Sequence, residues 1–474
     1  MKANKVLAGL LAAALVTVPL AGCGGAQSTG AAGTTADTAS TAATSEAEAA
    51  AALIGDDFNT LDTSGTKLTF WHSMGGVNGE AMTALVDKFN QENQYGITVE
   101  AVYQGSYDDA INKLKSAQIG NMGADLVQIY DIGTRFMIDS GWVIPMQQLI
   151  DAAGYDASQI EPNIAAYYTT DQGLYSMPFN SSTPLLYYNK DMFDAAGITD
   201  IPASLDEIAA VGDQLKEKAG TQEVLAMSVY GWWFEQFLSK QGLEMVDNGN
   251  GRSAPATKVV FDENGGALNI LNAWKTLYDG GYAPNVGRSG SDTATTDFTS
   301  GKAAMMLGST ASLKQVLQDT GDSFTVGTAY FPAVSSADQG GVSIGGGSLW
   351  ALNNNDPVKL AATWRFIEFL ISPESQAYWN AQTGYFPVTT AAANEDVYKQ
   401  NMEQYPQFQT AIDQLHASAP QYAGALLSVF PESRQIVETE IEEMLSGSQS
   451  PEEAVASITE QVNDSIETYN LING

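Results

Sequence analysis

A serine nucleophile is the first chemistry to consider, because residues 341–345 match the Gly-x-Ser-x-Gly pattern of hydrolases around Ser343. That chemistry needs a sharp strand-to-helix turn after the serine and a histidine base. Here two further glycines and another apolar strand follow the motif. The sequence has 2 histidines, His72 and His416, and His416 has no acidic orienter beside it. We therefore predict no enzymatic activity and keep a secreted hydrolase only as a minor alternative.

Metal chemistry has little support in the residue types. The segment 247–251 loosely resembles a calcium loop, but the twelfth position, which needs a bidentate glutamate, is Lys258. With 1 cysteine and 2 histidines, the sequence lacks the ligands for a zinc cluster. We predict no metal and no cofactor.

The first residues predict export and attachment of a lipid. Lys2 and Lys5 precede a short apolar stretch that ends near Leu20, as in a signal peptide. The segment 20–23 then resembles the lipobox of bacterial lipoproteins, in which the cysteine, here Cys23, is lipidated. Because Cys23 is the only cysteine, an intramolecular disulfide is excluded. We expect anchoring on the outer face of the cell membrane, or in the periplasm if the envelope has two membranes.

The tract from residue 24 to about residue 64 is rich in Gly, Ala, Ser and Thr, with no aromatic residue before Phe58. Such a composition buries too little apolar surface to offset its ordering, which predicts a flexible tether. The whole sequence has 21 basic and 55 acidic residues and a net charge of -34. This balance argues against nucleic acid as a partner and against direct adhesion to anionic lipid. We expect a monomer that meets the membrane through its lipid anchor only.

From Lys67 onward, strand and helix patterns alternate, which is typical of an α/β fold. Strands are predicted over 67–71, 97–103, 124–130, 185–189, 303–307 and 324–330. Helices are predicted over 79–93, 107–118, 204–218, 364–370, 431–445 and 451–469, the third beginning at a capping box. Two α/β lobes fit the length of the sequence, and ligands of such folds bind at carboxyl ends of strands or between lobes.

Five segments carry a closer resemblance: 70–74, 103–107, 178–190, 344–350 and 383–387. Together they resemble the extracellular solute-binding proteins of ABC importers, and among these the UgpB type, which binds sn-glycerol 3-phosphate. The resemblance implies a two-lobe periplasmic-binding-protein fold, similar to maltose-binding protein, that closes on its ligand. It also implies hinge crossings near 178–183, 325–330 and 346–352, and the membrane subunits of an ABC importer as partners.

The expected division of the chain follows from these segments. Residues 1–22 are the signal peptide and 23–64 the lipidated cysteine and tether. The expected N-terminal lobe comprises 65–180 plus 328–348, and the expected C-terminal lobe comprises 181–327 plus 349–474.

The resemblance further implies a set of ligand-binding residues, carried over position by position. These are Tyr107, Asp131, Ser182, Tyr230, Trp233, Ser309, Gly346, Tyr385 and Arg434. Asp131 stands where the family pattern has glutamate, and Tyr230 where it has tryptophan. Trp232 is adjacent to Trp233, so the two cannot both face one cleft.

These residue types suit a phosphorylated polyol, because an ionised phosphate offers only acceptors and needs donors such as Arg434, Ser182 and Ser309. Each residue also has a structural alternative, such as an ion pair of Arg434 with a nearby glutamate or a purely hinge-forming role for Gly346. We expect sn-glycerol 3-phosphate or a glycerophosphodiester as the ligand. A maltooligosaccharide or other neutral sugar is the alternative, because such sites need aromatic side chains and carboxylates but no arginine.

Overall fold

A computed structural model describes residues 53–119 and 123–473 of the chain. The predicted signal peptide, Cys23 and most of the predicted tether lie outside these residues. Within the described part the strands, in chain order, are β1 (Lys67–His72), β2 (Thr98–Tyr103), β3 (Leu126–Tyr130), β4 (Thr169–Thr170), β5 (Gly173–Leu174), β6 (Met177–Ser182), β7 (Pro184–Asn189), β8 (Glu223–Ala226), β9 (Ala303–Ser309), β10 (Val326–Tyr330) and β11 (Gly345–Ala351).

Two larger sheets organise the structure. The first has the order β2-β1-β3-β11-β6, with β1 parallel to both neighbours and β11 antiparallel to both neighbours. The second has the order β10-β7-β9-β8, in which only β8 and β9 are parallel. Strand β3 is buried along its whole length, as expected for a strand covered on both faces. Each of the two predicted lobes would be built on one of these sheets.

The chain passes from the first sheet to the second at Thr183, within the crossing predicted at 178–183. The other two predicted crossings are misplaced. Strand β10 pairs along its length with β7, so 326–330 stays in the second sheet, and the return passage is 331–344. Strand β11 likewise stays in the first sheet, paired with β3 and β6. A continuous hydrogen-bonded ladder holds each strand within one sheet, which a sequence pattern does not reveal.

The lobe boundaries differ from expectation for the same reason. Residues 328–330 belong with the second sheet rather than the first. The helices Pro357–Leu370 and Pro373–Thr383 pack against β1, β11 and the helix Gly76–Glu92 of the first sheet, although 349–474 was expected in the second lobe. The helix Gln407–Ala417 packs on β10, so a third passage follows Thr383.

The helices confirm most of the predicted pattern. The α-helices of eight or more residues are Gly76–Glu92, Tyr107–Ile119, Met146–Ala153, Leu205–Gln214, Gly231–Lys240, Gly266–Asp279, Ser291–Thr299, Leu313–Thr320, Pro357–Leu370, Pro373–Thr383, Asp396–Gln404, Gln407–Ala417, Phe430–Ser446 and Pro451–Asn473. At the predicted capping box, the Ser204 side chain accepts from the Glu207 backbone N–H, and the Glu207 carboxylate accepts from Ala203 N at 2.8 Å. The first turn of that helix is therefore capped by both side chains.

Two buried apolar clusters form the core, and each draws side chains from both sheets. Phe70 and Leu185 lie in one cluster, and Val127 and Met305 in the other. Among the described residues, no helix is long and apolar enough to cross a bilayer. In the same part of the chain, no group of three or more His, Cys, Asp or Glu is placed to hold a metal ion.

Candidate ligand-binding site

A cavity of about 250 Å³ lies where strands of both sheets end. It is lined by eight of the nine predicted site residues, which are Tyr107, Asp131, Ser182, Tyr230, Ser309, Gly346, Tyr385 and Arg434. Their spacing along the chain is large, but β3, β6 and β9 each deliver one of them at or just after the carboxyl end of the strand. The sheet topology therefore explains why residues so distant in sequence meet.

Trp233 is the predicted residue that does not line this cavity. Its ring stacks on Phe331 with centroids 5.9 Å apart, and it is buried in the core behind the site. Trp232 borders the cavity instead, with its ring against Gly345. Successive residues of a helix point about 100° apart, so one tryptophan faces the cavity and the other faces the core. The prediction of Trp233 is thus corrected to Trp232.

Arg434 is 7% exposed and makes its strongest contact with a residue that sequence reasoning missed. Its Nε and Nη2 donate to the two carboxylate oxygens of Glu235 at 2.8 and 2.7 Å, a bidentate pair. Its Nη1 donates to the Tyr230 hydroxyl at 3.3 Å, and Asp131 Oδ2 lies 4.0 Å from Nη2. An ion pair for Arg434 was foreseen, but with a glutamate of its own helix rather than with Glu235.

Asp131 begins a short 3₁₀ helix directly after β3 and is 6% exposed. Burial raises the pKa of its carboxyl group to about 7, although nearby Arg434 opposes this rise, and Glu235 adds to it. The carboxyl group of Asp131 is therefore poised to change charge near neutral pH.

A hydrogen-bonded chain positions two tyrosines at the cavity. Gln128 Nε2 donates to Asn180 Oδ1 at 2.7 Å, and Asn180 Nδ2 donates to the Tyr107 hydroxyl at 2.8 Å. The Tyr107 hydroxyl in turn contacts the hydroxyl of Tyr385. Because the oxygen of Tyr107 accepts from Asn180, its proton is directed to Tyr385, which leaves the Tyr385 proton available to the cavity. The Tyr385 ring is held by stacking on Trp379, with centroids 5.6 Å apart.

Gly346 lies in β11 with φ +94°, opposite Ser181 of β6. A Cβ atom at this position would lie 1.9 Å from the carbonyl oxygen of Asn180. Both the backbone conformation and the close approach of β6 therefore require glycine. Gly346 therefore has a structural role between β6 and β11, and it also borders the cavity.

Ser309 ends β9 and caps the following turn, with its hydroxyl oxygen accepting from Ala311 N at 3.1 Å. Because this oxygen is used as an acceptor, the hydroxyl proton remains available as a donor. Ser182 ends β6 on the opposite sheet and is 3% exposed. The two serines thus reach the cavity from different sheets.

Four cavity residues are not part of the predicted site, namely Asn78, Tyr130, Ala311 and Ser312, while Trp232 was the alternative to Trp233. Tyr130 directly precedes Asp131, and its ring stacks on Tyr107 with centroids 5.0 Å apart. Glu235, behind the cavity, lies three residues after Trp232 on the helix Gly231–Lys240. That spacing places the two side chains on one helix face, a signal that could have revealed Glu235.

The hydrolase alternative finds no support at Ser343. Its hydroxyl accepts from Gln236 Nε2 at 2.8 Å, and its backbone N–H donates to Gln236 Oε1 at 3.0 Å. The motif leads into strand β11 rather than into a helix. Of the two histidines, His72 lies in β1. His416 does have an acidic neighbour, contrary to expectation, because Glu161, distant in the sequence, lies 3.6 Å away. Ser343 therefore serves as a buried structural partner of Gln236.

Family comparison matches residues 84–410 to the family described as bacterial extracellular solute-binding protein. The sn-glycerol-3-phosphate-binding periplasmic protein UgpB of Salmonella typhimurium is 31% identical over 417 residues, covering 85% of this chain and 93% of that protein. UgpB of Escherichia coli K12 is 30% identical over 414 residues, with the same coverage.

Two solved structures share the fold. UgpB from Mycobacterium tuberculosis, solved in complex with glycerophosphocholine, has a TM-score of 0.73 at 22% identity and covers 86% of this chain and 100% of its own. The GacH receptor of Streptomyces glaucescens, solved unliganded and with acarbose and an acarbose homolog, has a TM-score of 0.71 at 23% identity and covers 85% of this chain and 98% of its own. These likenesses confirm the predicted maltose-binding-protein-like α/β fold.

Proposed function

This chain belongs to the bacterial extracellular solute-binding proteins, and we propose that it captures sn-glycerol 3-phosphate or a glycerophosphodiester between its two lobes. As a member of this family it is the solute-binding component of an ABC importer and not an enzyme. The observation that carries the ligand proposal is the cavity itself, which combines one buried arginine with hydroxyl donors from both sheets.

The donors suit a phosphate group. Its ionised oxygens only accept hydrogen bonds, and Arg434, Ser182, Ser309 and Tyr385 all bring N–H or O–H groups to the cavity. Asp131, on the side of the first sheet, is suited to accept from glycerol hydroxyls. The aromatic rings of Tyr107, Tyr230 and Trp232 are suited to cover the C–H surface of the glycerol.

The cavity volume favours a small ligand. About 250 Å³ is below the roughly 300–1,000 Å³ of pockets that hold drug-sized ligands. A glycerol phosphate fits a cavity of this volume better than a maltooligosaccharide does, because an oligosaccharide would need several sugar subsites.

One observation favours the neutral-sugar alternative. Arg434 is already paired with Glu235, so much of its charge is balanced before an anion enters the cavity. Acarbose bound to the similarly folded GacH receptor shows that this fold also serves sugar-like ligands. A neutral polyol would use Asp131 and the aromatic rings and would leave the Arg434–Glu235 pair untouched.

Calorimetry on the full chain tests the proposal. We expect sn-glycerol 3-phosphate or glycerophosphocholine to release heat on binding and to raise the thermal unfolding midpoint by mass action. Maltose and glycerol serve as neutral controls. Tight binding of a neutral sugar, with no heat from either phosphate ligand, would assign the cavity to sugars instead.

The affinity of the chain for its phosphate-ester ligand is expected to fall as pH rises from 6 to 8. Burial sets the pKa of Asp131 near 7, so this rise adds a negative charge beside the ligand. Above that pKa the affinity drops by up to about tenfold per pH unit, until the pKa of the complex is reached. The monomethyl ester of sn-glycerol 3-phosphate is the suitable probe, because it carries one negative charge and no cation over this range. Asp131→Asn is expected to abolish the slope. An affinity that rises with pH would contradict the prediction and would show that hydrogen bonds from ligand hydroxyls to the ionised Asp131 outweigh the repulsion of the phosphate.

We also infer that Cys23 carries a lipid that holds a monomer at the outer face of the cell membrane, or in the periplasm of a two-membrane cell. Intact-protein mass spectrometry of membrane-extracted material is expected to show cleavage before Cys23 and the added mass of a diacylglyceryl group. Cys23→Ser serves as the control and is expected to release the protein from the membrane fraction. A wild-type mass without any lipid would refute the anchor.

A further inference from the structure

Three of the five N–H groups of the Arg434 guanidinium are already used inside the protein. Two of its three nitrogens are bound to Glu235, and the third donates to the hydroxyl of Tyr230. The Arg434 and Glu235 side chains are 7% and 11% exposed, so solvent screens this pair weakly. A phosphate that enters the cavity meets one edge of a cation whose charge is already balanced.

Carboxylates outnumber cations around this pair. Arg434 is the one cationic side chain among the described residues that line the cavity. Asp131 lies 4.0 Å from it, and Glu438, one helical turn further along, accepts from Gly231 N at 2.8 Å. Of these three carboxyl groups only Asp131 lines the cavity, while Glu235 and Glu438 lie behind it. The total charge of this cluster, Arg434 included, is negative whenever all three carboxyl groups are ionised.

Arg252 is a second cation near Glu235, but it does not form an ion pair with the Glu235 carboxylate. Glu235 also borders a neighbouring cavity of about 280 Å³, which contains Arg252. Arg252, however, donates to the backbone carbonyl oxygens of Gly424, Ala166 and Tyr167 rather than to a carboxylate. The charge of Glu235 is thus committed to Arg434.

We propose that Glu235 is a specificity-determining residue, which neutralises Arg434 so that the cavity prefers a singly charged phosphodiester to a doubly charged phosphomonoester. The inference rests on the proposed function and narrows its ligand class. A diester places one negative charge against one balanced cation, whereas a monoester above pH 7 places nearly two. The second charge has no partner and is repelled by Glu235, Asp131 and Glu438.

The test compares sn-glycerol 3-phosphate with its monomethyl ester, which differ by one methyl group and one charge. Calorimetry at pH 8 is expected to show tighter binding of the methyl ester by the wild-type chain. Glu235→Gln, which keeps the side-chain shape, is expected to improve monoester affinity by about tenfold or more and to narrow that preference. Glu244→Gln is the matched control, because Glu244 is exposed, borders the neighbouring cavity and is not a hydrogen-bond partner of Arg434.

Several outcomes overturn the inference. One is a wild-type chain that binds the monoester at least as tightly as the methyl ester. Another is an equal loss of affinity for both ligands in Glu235→Gln, which would make Glu235 only a support for Arg434. If neither phosphate ligand binds the wild-type chain while a neutral sugar does, the proposed function is wrong. The preference for a diester over a monoester is then refuted as well.

A second measurement applies if Glu235→Gln does not fold. In the wild-type chain, the ratio of methyl-ester to monoester affinity is expected to grow between pH 5 and pH 8. The second proton leaves a phosphomonoester near pH 6, while the diester keeps one charge throughout. Titration of Asp131 affects both ligands and largely cancels in the ratio. A constant ratio would contradict the proposal.

Discussion

Replacing Arg434 by alanine is expected to weaken glycerol phosphate binding by about 2–5 kcal/mol, which corresponds to about 30- to 4,000-fold in the dissociation constant. The side chain is 7% exposed and is the only cation at the cavity in the described part of the chain. Its removal also leaves the buried carboxylates of Glu235 and Asp131 without a neutralising cation. Much of the loss therefore reflects these orphaned carboxylates rather than a lost ligand contact.

The same substitution is expected to destabilise the free protein by about 3–5 kcal/mol, because breaking a buried ion pair leaves an uncompensated charge. Calorimetry should therefore be run well below the unfolding midpoint of the variant, which a thermal scan supplies. Arg288→Ala is the matched control. Arg288 pairs with Glu442 at 3.0 Å on the surface, with a side chain 46% exposed, and its loss is expected to cost at most about 1 kcal/mol.

Two results would separate the roles of Arg434. Unchanged phosphate affinity in Arg434→Ala would remove this residue from the ligand site and favour a neutral ligand. Arg434→Lys keeps the charge but cannot form the two-pronged contact with Glu235, so we expect intermediate affinity. Full affinity in the lysine variant would mean that charge alone matters.

Gly346→Ala is expected to destabilise the protein by at least about 3 kcal/mol, combining a strained backbone with a collision between strands. The added Cβ would lie 1.9 Å from Asn180 O, so β6 and β11 must separate at the Gly346–Ser181 pair. Any shift of Asn180 also disturbs its hydrogen bond to Tyr107 at the cavity. Denaturant unfolding measures the first effect, and ligand affinity measures the second.

Gly197→Ala is the control that isolates backbone strain. Gly197 ends the helix Lys190–Ala196 at φ +71°, and a Cβ added there would meet no atom within 4 Å. Its substitution is expected to cost about 1–2 kcal/mol. Equal losses in the two variants would show that the approach of β6 to β11 contributes nothing and that Gly346 is needed for its φ alone.

The local elements follow from the amino-acid sequence. Apolar periodicity, a capping box at Ser204 and turn residues act over a few neighbours, so most strands and helices begin within a few residues of their predicted positions. Resemblance also identified the family and eight residues that meet at one cavity. These residues could be named from the sequence because the segments that carry them keep recognisable motifs.

The folded chain was needed to show which sheet holds β10 and β11, since hydrogen-bond ladders join segments far apart in the chain. It was also needed to show that Trp232, not Trp233, borders the cavity, because the rotation of a helix against its neighbours cannot be read from two adjacent tryptophans. The ion-pair partner of Arg434 likewise could not be identified from the sequence. Glu235 lies 199 positions away along the chain, and only the packing of two helices brings its carboxylate to the guanidinium. Charge balance at a buried site is a property of such distant neighbours, which is why the sequence pointed to a phosphate and only the fold showed that Arg434 is already paired with Glu235.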